Sequence, residues 1–143
     1  MQDLFEPAFE NSRHAEEECD DAKQALIRQF NIRDQDIIEL KNGSLQKCIS
    51  TYADLTAKLK ENKSQRVLIF HILAGHGSLK DKNQSLILNR YDQKTSFYER
   101  FEAEKAVKQI AIQCPNTYSI AVFGNSREPE RHTYDFYSHE MAN

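Results

Sequence analysis

The chain has 143 residues, of which 39 % are hydrophobic and 29 % charged, and its formal net charge is −3 at pH 7. That length suits one compact domain, and a pI near 6.0 leaves no basic footprint for nucleic acid. No apolar run reaches the roughly 18 residues of a membrane-spanning helix, and eight carboxylates against one arginine between Met1 and Asp21 speak against a basic signal or transit peptide.

In chain order, Ser12 to Phe30 reads as a helix, because Ala15, Cys19, Ala22, Leu26 and Phe30 recur at steps of three and four. Glu16, Glu17, Asp20 and Lys23 fill its other face. Asp36 to Leu40 ("DIIEL") reads as a short strand ended by Asn42-Gly43. Ser44 is placed to cap a second helix that carries Leu45, Cys48, Ile49, Tyr52, Leu55 and Leu59 on one side. Arg66 to Leu73 is continuously apolar and predicts a strand buried on both faces, with His71 as a hydrogen-bonded core histidine. Ser85 to Asn89 predicts a further short strand, and Ser96 to Gln113 a third helix stopped by Pro115. Tyr118 to Phe123 ("YSIAVF") is the last clear strand. The tail "RHTYDFYSHEM" has aromatic rings and two histidines without metal-ligand spacing, and reads as a packing or partner-contact segment.

Helices alternating with buried strands predict a three-layer α/β/α sandwich with a mostly parallel sheet, formed by residues 1–143 as a single domain. Residues 1–11 and 129–143 are expected as partner-contact or flexible ends. Cys19, Cys48 and Cys114 are odd in number and far apart, so they predict buried free thiols in a reducing, cytoplasmic setting, not a disulfide framework or a metal site. No metal and no cofactor is expected. In parallel sheets, reactive groups gather beyond the carboxyl ends of the strands. One such end carries Gly75-His76-Gly77, and another carries Gly124-Asn125-Ser126-Arg127-Glu128.

A histidine and a hydroxyl or thiol on neighbouring strand ends are the parts of covalent acyl transfer, with glycine-turn N–H groups as oxyanion donors. "FHILAGHGSL", then "SLILNRYD", a helix and "SIAVFGNSRE" resembles the large-subunit part of the caspase and metacaspase family of cysteine peptidases. The fifty residues from His76 to Ser126 match that family's spacing between histidine and nucleophile. The resemblance covers roughly residues 14–128 and implies His76 as the base, residue 126 as the nucleophile position and the Gly77 N–H as an oxyanion donor. Gly124 and Asn125 fall where the family builds its substrate pocket, and Asp92 where it carries an acidic residue.

The departures shape the functional expectation. Ser126 stands where the family has cysteine, and a hydroxyl does not ionise near neutral pH as a thiol does. Gly124 lacks the side chain that would read the substrate's first residue. "MQDLFEPAFENSR" lacks the family's apolar first strand, and the fifteen residues after Glu128 are too few for its small-subunit half. The expectation is therefore a catalytically inactive caspase-like domain acting as a structural or interaction subunit, whose partners are other protein chains that complete the sheet. The alternative is the large-subunit part, or a Cys-to-Ser form, of an active cysteine endopeptidase.

Overall fold

An uninterrupted apolar run from Val67 favours extended backbone, because β-branched and aromatic side chains pack well on a pleated surface. In the computed structural model, which describes residues 12–41, 43–80, 83–92, 97–125 and 132–138, that run opens a long strand, β1 (Val67–Lys80). It follows two helices, α1 (Ser12–Phe30) and α2 (Leu45–Glu61). After it come β2 (Asn83–Asp92), β3 (Phe97–Phe101), α3 (Ala103–Gln113), β4 (Thr117–Asn125) and β5 (His132–Ser138). The strand order is β3-β2-β1-β4-β5.

The first half of β1 pairs in parallel with β4, from Val67 opposite Thr117 to Gly75 opposite Asn125. Its second half pairs antiparallel with β2, from His76 opposite Ile87 to Lys80 opposite Asn83. β2–β3 and β4–β5 are antiparallel as well. The fold is thus mixed α/β, and the expected mostly parallel sheet is corrected: one described pairing is parallel and three are antiparallel.

Strand alternation sorts the core. Thr117, Ser119, Ala121 and Phe123 are buried, while Tyr118, Ile120 and Val122 between them are half-buried. The buried face meets α2 and α3, where Val107 and Ile110 are fully enclosed with Cys48, Phe101 and Cys114. The other face of β1 meets α1, whose Phe30 ring lies 5.1 Å from that of Phe70. Coverage there is partial: Leu68 is 50 % exposed and Phe30 58 %. The expected burial of this strand on both faces is therefore realised on one.

Helix ends follow local chemistry. Ser44 Oγ accepts the Lys47 N–H at 3.1 Å and caps α2 as its position predicts. Asn31 stops α1 in the left-handed region at φ 53°. Glu104, in the first turn of α3, is a nearly buried carboxylate that accepts from the Gln84 N–H at 2.6 Å and the Tyr137 hydroxyl at 3.1 Å. It thereby ties the helix to β2 and β5 at the end where the helix dipole favours negative charge.

Three expected elements differ. Phe97–Phe101 is a strand, not the first turns of the third helix. A spacing of four places Phe97 and Phe101 on one side of either element, so pairing with β2 decides. "DIIEL" is not a strand of the sheet: Asp34–Asp36 forms a 3-10 turn, Ile37 is extended, and Ile38 is 60 % exposed. His132–Ser138, expected within a tail, is instead strand β5. Its alternation was masked by Asp135 and by polar residues at both ends. No described helix is long and apolar enough to cross a membrane. Replacing the enclosed Ile110 by alanine is expected to lower unfolding free energy by about 3 kcal/mol, read as a lower urea midpoint at unchanged slope.

Candidate functional site

The expected site lies where β1 exchanges partners. Gly75 has φ 146°, a conformation that L side chains rarely adopt, and it is the last residue of β1 paired with β4. A Cβ added there would have no atom within 4 Å, so the demand for glycine is conformational, not steric. The kink lets one continuous strand leave β4 and join β2. His76 and Gly77 are consequently inside β1, opposite Ile87 and Leu86, and not in a free turn beyond a strand end. Gly77, expected to supply an oxyanion N–H from a turn, thus stands within an antiparallel ladder.

Gly124 and Asn125 end β4 opposite Ala74 and Gly75. Ser126, Arg127 and Glu128 lie outside the described residues, as do Asn42, residues 1–11, 129–131 and 139–143. The backbone thus brings Gly75, one residue before His76, onto the same rung as Asn125, one residue before Ser126. Asp92 ends β2 opposite Phe97.

A second constellation is complete and buried. His71, on the core face of β1, has Nδ1 3.0 Å from the Tyr52 hydroxyl of α2 and Nε2 3.0 Å from Ser119 Oγ of β4. The Tyr52 ring stacks on the imidazole with centroids 5.8 Å apart. A neutral imidazole donates from one nitrogen and accepts at the other, and each neighbouring hydroxyl can take the complementary part, so both tautomers are satisfied. The expectation of a hydrogen-bonded core histidine holds. Burial pushes the imidazole down to about 4 and pushes the Tyr52 phenol up.

A serine 3.0 Å from a histidine resembles a nucleophile–base pair. Ser119 is 1 % exposed and His71 4 %, however, so no substrate carbonyl reaches the hydroxyl in this conformation. The chain Tyr52–His71–Ser119 holds α2, β1 and β4 together. Sequence reading found its centre and not its partners, although a histidine inside an apolar strand requires them. Tyr52 and Ser119 were available at inward-facing positions.

The three cysteines are free thiols, Cys48 and Cys114 buried and Cys19 partly so. Burial raises all three thiols above their ordinary value, which disfavours the thiolate. Among the described residues, no group of three or more histidine, cysteine or acidic side chains is arranged to hold a metal ion. No protein-family model, characterised protein or solved structure matches the chain.

Gly75→Ala is expected to cost about 1–2 kcal/mol through backbone strain alone, measured as a lower urea midpoint. His71 imposes a pH dependence. The unfolded chain takes up its proton near 6.5, whereas the native state remains neutral down to about 4. Between those values the unfolded state binds more protons, so stability falls as pH drops through that window and this group adds no further loss below it. The expected loss is about 3 kcal/mol, obtained as the difference between wild type and His71→Phe in urea titrations from pH 8 to 4.

Proposed function

We propose that this chain is a caspase-like domain without peptidase activity, of the three-layer α/β/α type, that serves as an interaction subunit in a larger protein assembly. The observation that carries the reading is the parallel register of β1 and β4. Gly75 lies opposite Asn125, so the two sequence motifs fifty residues apart converge at one end of one strand pair. Between these strands the chain runs through an antiparallel excursion and a helix, in the order the resemblance implies.

Inactivity follows from chemistry at position 126. A serine hydroxyl beside a histidine needs a matched third group and oxyanion hole to attack an acyl carbon, while a thiol ionises near neutral pH. The bare Gly124 further removes the side chain that would select a substrate. An interaction role is supported by the partly open apolar sheet face, where Leu68 and Phe30 remain half-exposed. Partner chains, in a cytoplasmic reducing setting, would cover it. The same register also suits the second reading, an active cysteine endopeptidase of which this chain is the large-subunit part or a Cys-to-Ser form.

The test installs the thiol and asks whether the histidine senses it. In Ser126→Cys, alkylation at residue 126 followed by mass is expected to report a thiolate well below the ordinary pKa of about 8.5, and His76→Ala is expected to abolish that shift. An ordinary pKa in both would overturn the site. Hydrolysis of Lys-, Arg- or Asp-containing peptides by the unmodified chain, lost in His76→Ala, would overturn inactivity and favour the second reading.

A further inference from the structure

Of the two helices on the core face, α2 is the more lightly held. Among its 17 residues it buries Cys48 and Leu59, whereas α3, with 11 residues, buries Ala103, Glu104, Val107, Ile110 and Ala111. The chain on either side of α2 is exposed at residues 33–36 and 63–66. Two polar contacts tie the middle of the helix down. The Tyr52 hydroxyl lies 3.0 Å from His71 Nδ1, and the Thr56 carbonyl accepts from the Cys114 thiol at 3.7 Å. His71 Nε2 continues the first contact to Ser119 Oγ of β4 at 3.0 Å.

A neutral imidazole suits this chain, because it needs one donor and one acceptor and either hydroxyl can supply either part. A proton added to the ring turns both nitrogens into donors. Both hydroxyls must then accept, and the one that had donated to the ring loses its acceptor inside the core. The positive charge is meanwhile held between two hydroxyls, not against a carboxylate.

Around His71, α2 contributes the titratable groups Cys48 and Tyr52 and, beside Cys114, Lys60. Burial favours the neutral forms of Cys48, Tyr52 and Cys114. Glu104 of α3 is committed to the Gln84 N–H, the Tyr137 hydroxyl and Lys108. β3 brings Glu99, two residues from the buried Phe101, and β5 sets Tyr137 opposite Ser119 and Asp135 opposite Ala121. Burial is the cause that lowers the affinity of His71 for a proton.

We propose that the Tyr52–His71–Ser119 chain is an acid-operated latch: a proton on His71 frees α2 from the sheet, while β4 and α3 keep their places. The freed state exposes the imidazole and binds the proton more tightly than the closed state, and that difference drives the opening. Release uncovers the apolar cluster that Cys48 shares with Phe101, Val107, Ala121 and Phe123. An exposed imidazole titrates near 6.5 and the buried one at about 4, so the opening equilibrium gains about twentyfold as pH falls from 7 to 5.

The cysteines of the full chain report this opening. Cys48 belongs to α2, Cys114 bonds to it, and Cys19 lies on α1 across the sheet. Reaction with a dipyridyl disulfide, assigned by peptide mass, is followed over the same pH range, and each rate is divided by that of the same cysteine in the urea-unfolded chain. Cys48 and Cys114 are expected to gain about twentyfold and Cys19 less than about twofold. The amides of β4 are expected to keep their protection from deuterium exchange. His71→Phe, which cannot take up a proton, is expected to remove the pH dependence, and His71→Gln replaces it should the phenylalanine variant not fold.

Equal gains at all three cysteines, with loss of β4 protection, would mean global unfolding and would overturn the latch. So would rates at Cys48 and Cys114 that stay flat with pH, or a pH dependence that survives in the His71 variants.

Discussion

The structure depends on a single strand having two sets of neighbours. β1 is parallel to β4 for nine residues and antiparallel to β2 for the next five. Gly75, at a φ closed to most L residues, marks the exchange. A regular strand with a side chain at that position would be biased against the kink. Through β1, the α2 and α3 core clusters on β4 are coupled to the β2–β3 excursion, and the segment expected to be a catalytic turn becomes part of the sheet.

The same strand anchors the core by opposite means at different positions. Val67 and Ile69 contribute apolar packing, whereas His71 contributes a polar link whose two ring nitrogens are both engaged. Tyr52 is the hinge of this arrangement: it packs against both core clusters, stacks on His71 and tilts against Phe101. A satisfied polar chain of this kind specifies one placement of α2 over the sheet, because sliding the helix would orphan a buried hydroxyl and a buried imidazole together. Apolar contacts alone tolerate such shifts more readily.

The two faces of the sheet differ in completeness. On the α2 and α3 side, alternate residues of β4 are sealed; on the α1 side, their neighbours are half-buried and one helix lies on β1. Among the described residues, β2 joins β1 only from His76 onward. The His71–Ser119 pair, at hydrogen-bond distance, is sealed in the core.

Sequence alone determined the elements whose period admits one interpretation. α1 and α2 follow their three-and-four spacing, Ser44 caps α2, and the runs that open at Val67 and Tyr118 form strands. It also indicated that His71 is buried and bonded, since an apolar strand leaves a polar side chain no other stable state. Pairing was not legible, because strand partners are long-range choices that no local pattern encodes. Phe97–Phe101 fits either period and became a strand by lying against β2; "DIIEL" has β-branched residues and forms no ladder among the described residues; His132–Ser138 became a strand because β4 offered an edge. The glycines around His76 were visible as unusual, but only the tertiary structure decided that β1 exchanges β4 for β2 at Gly75, because the pairing that demands its positive φ is set by strands distant in sequence.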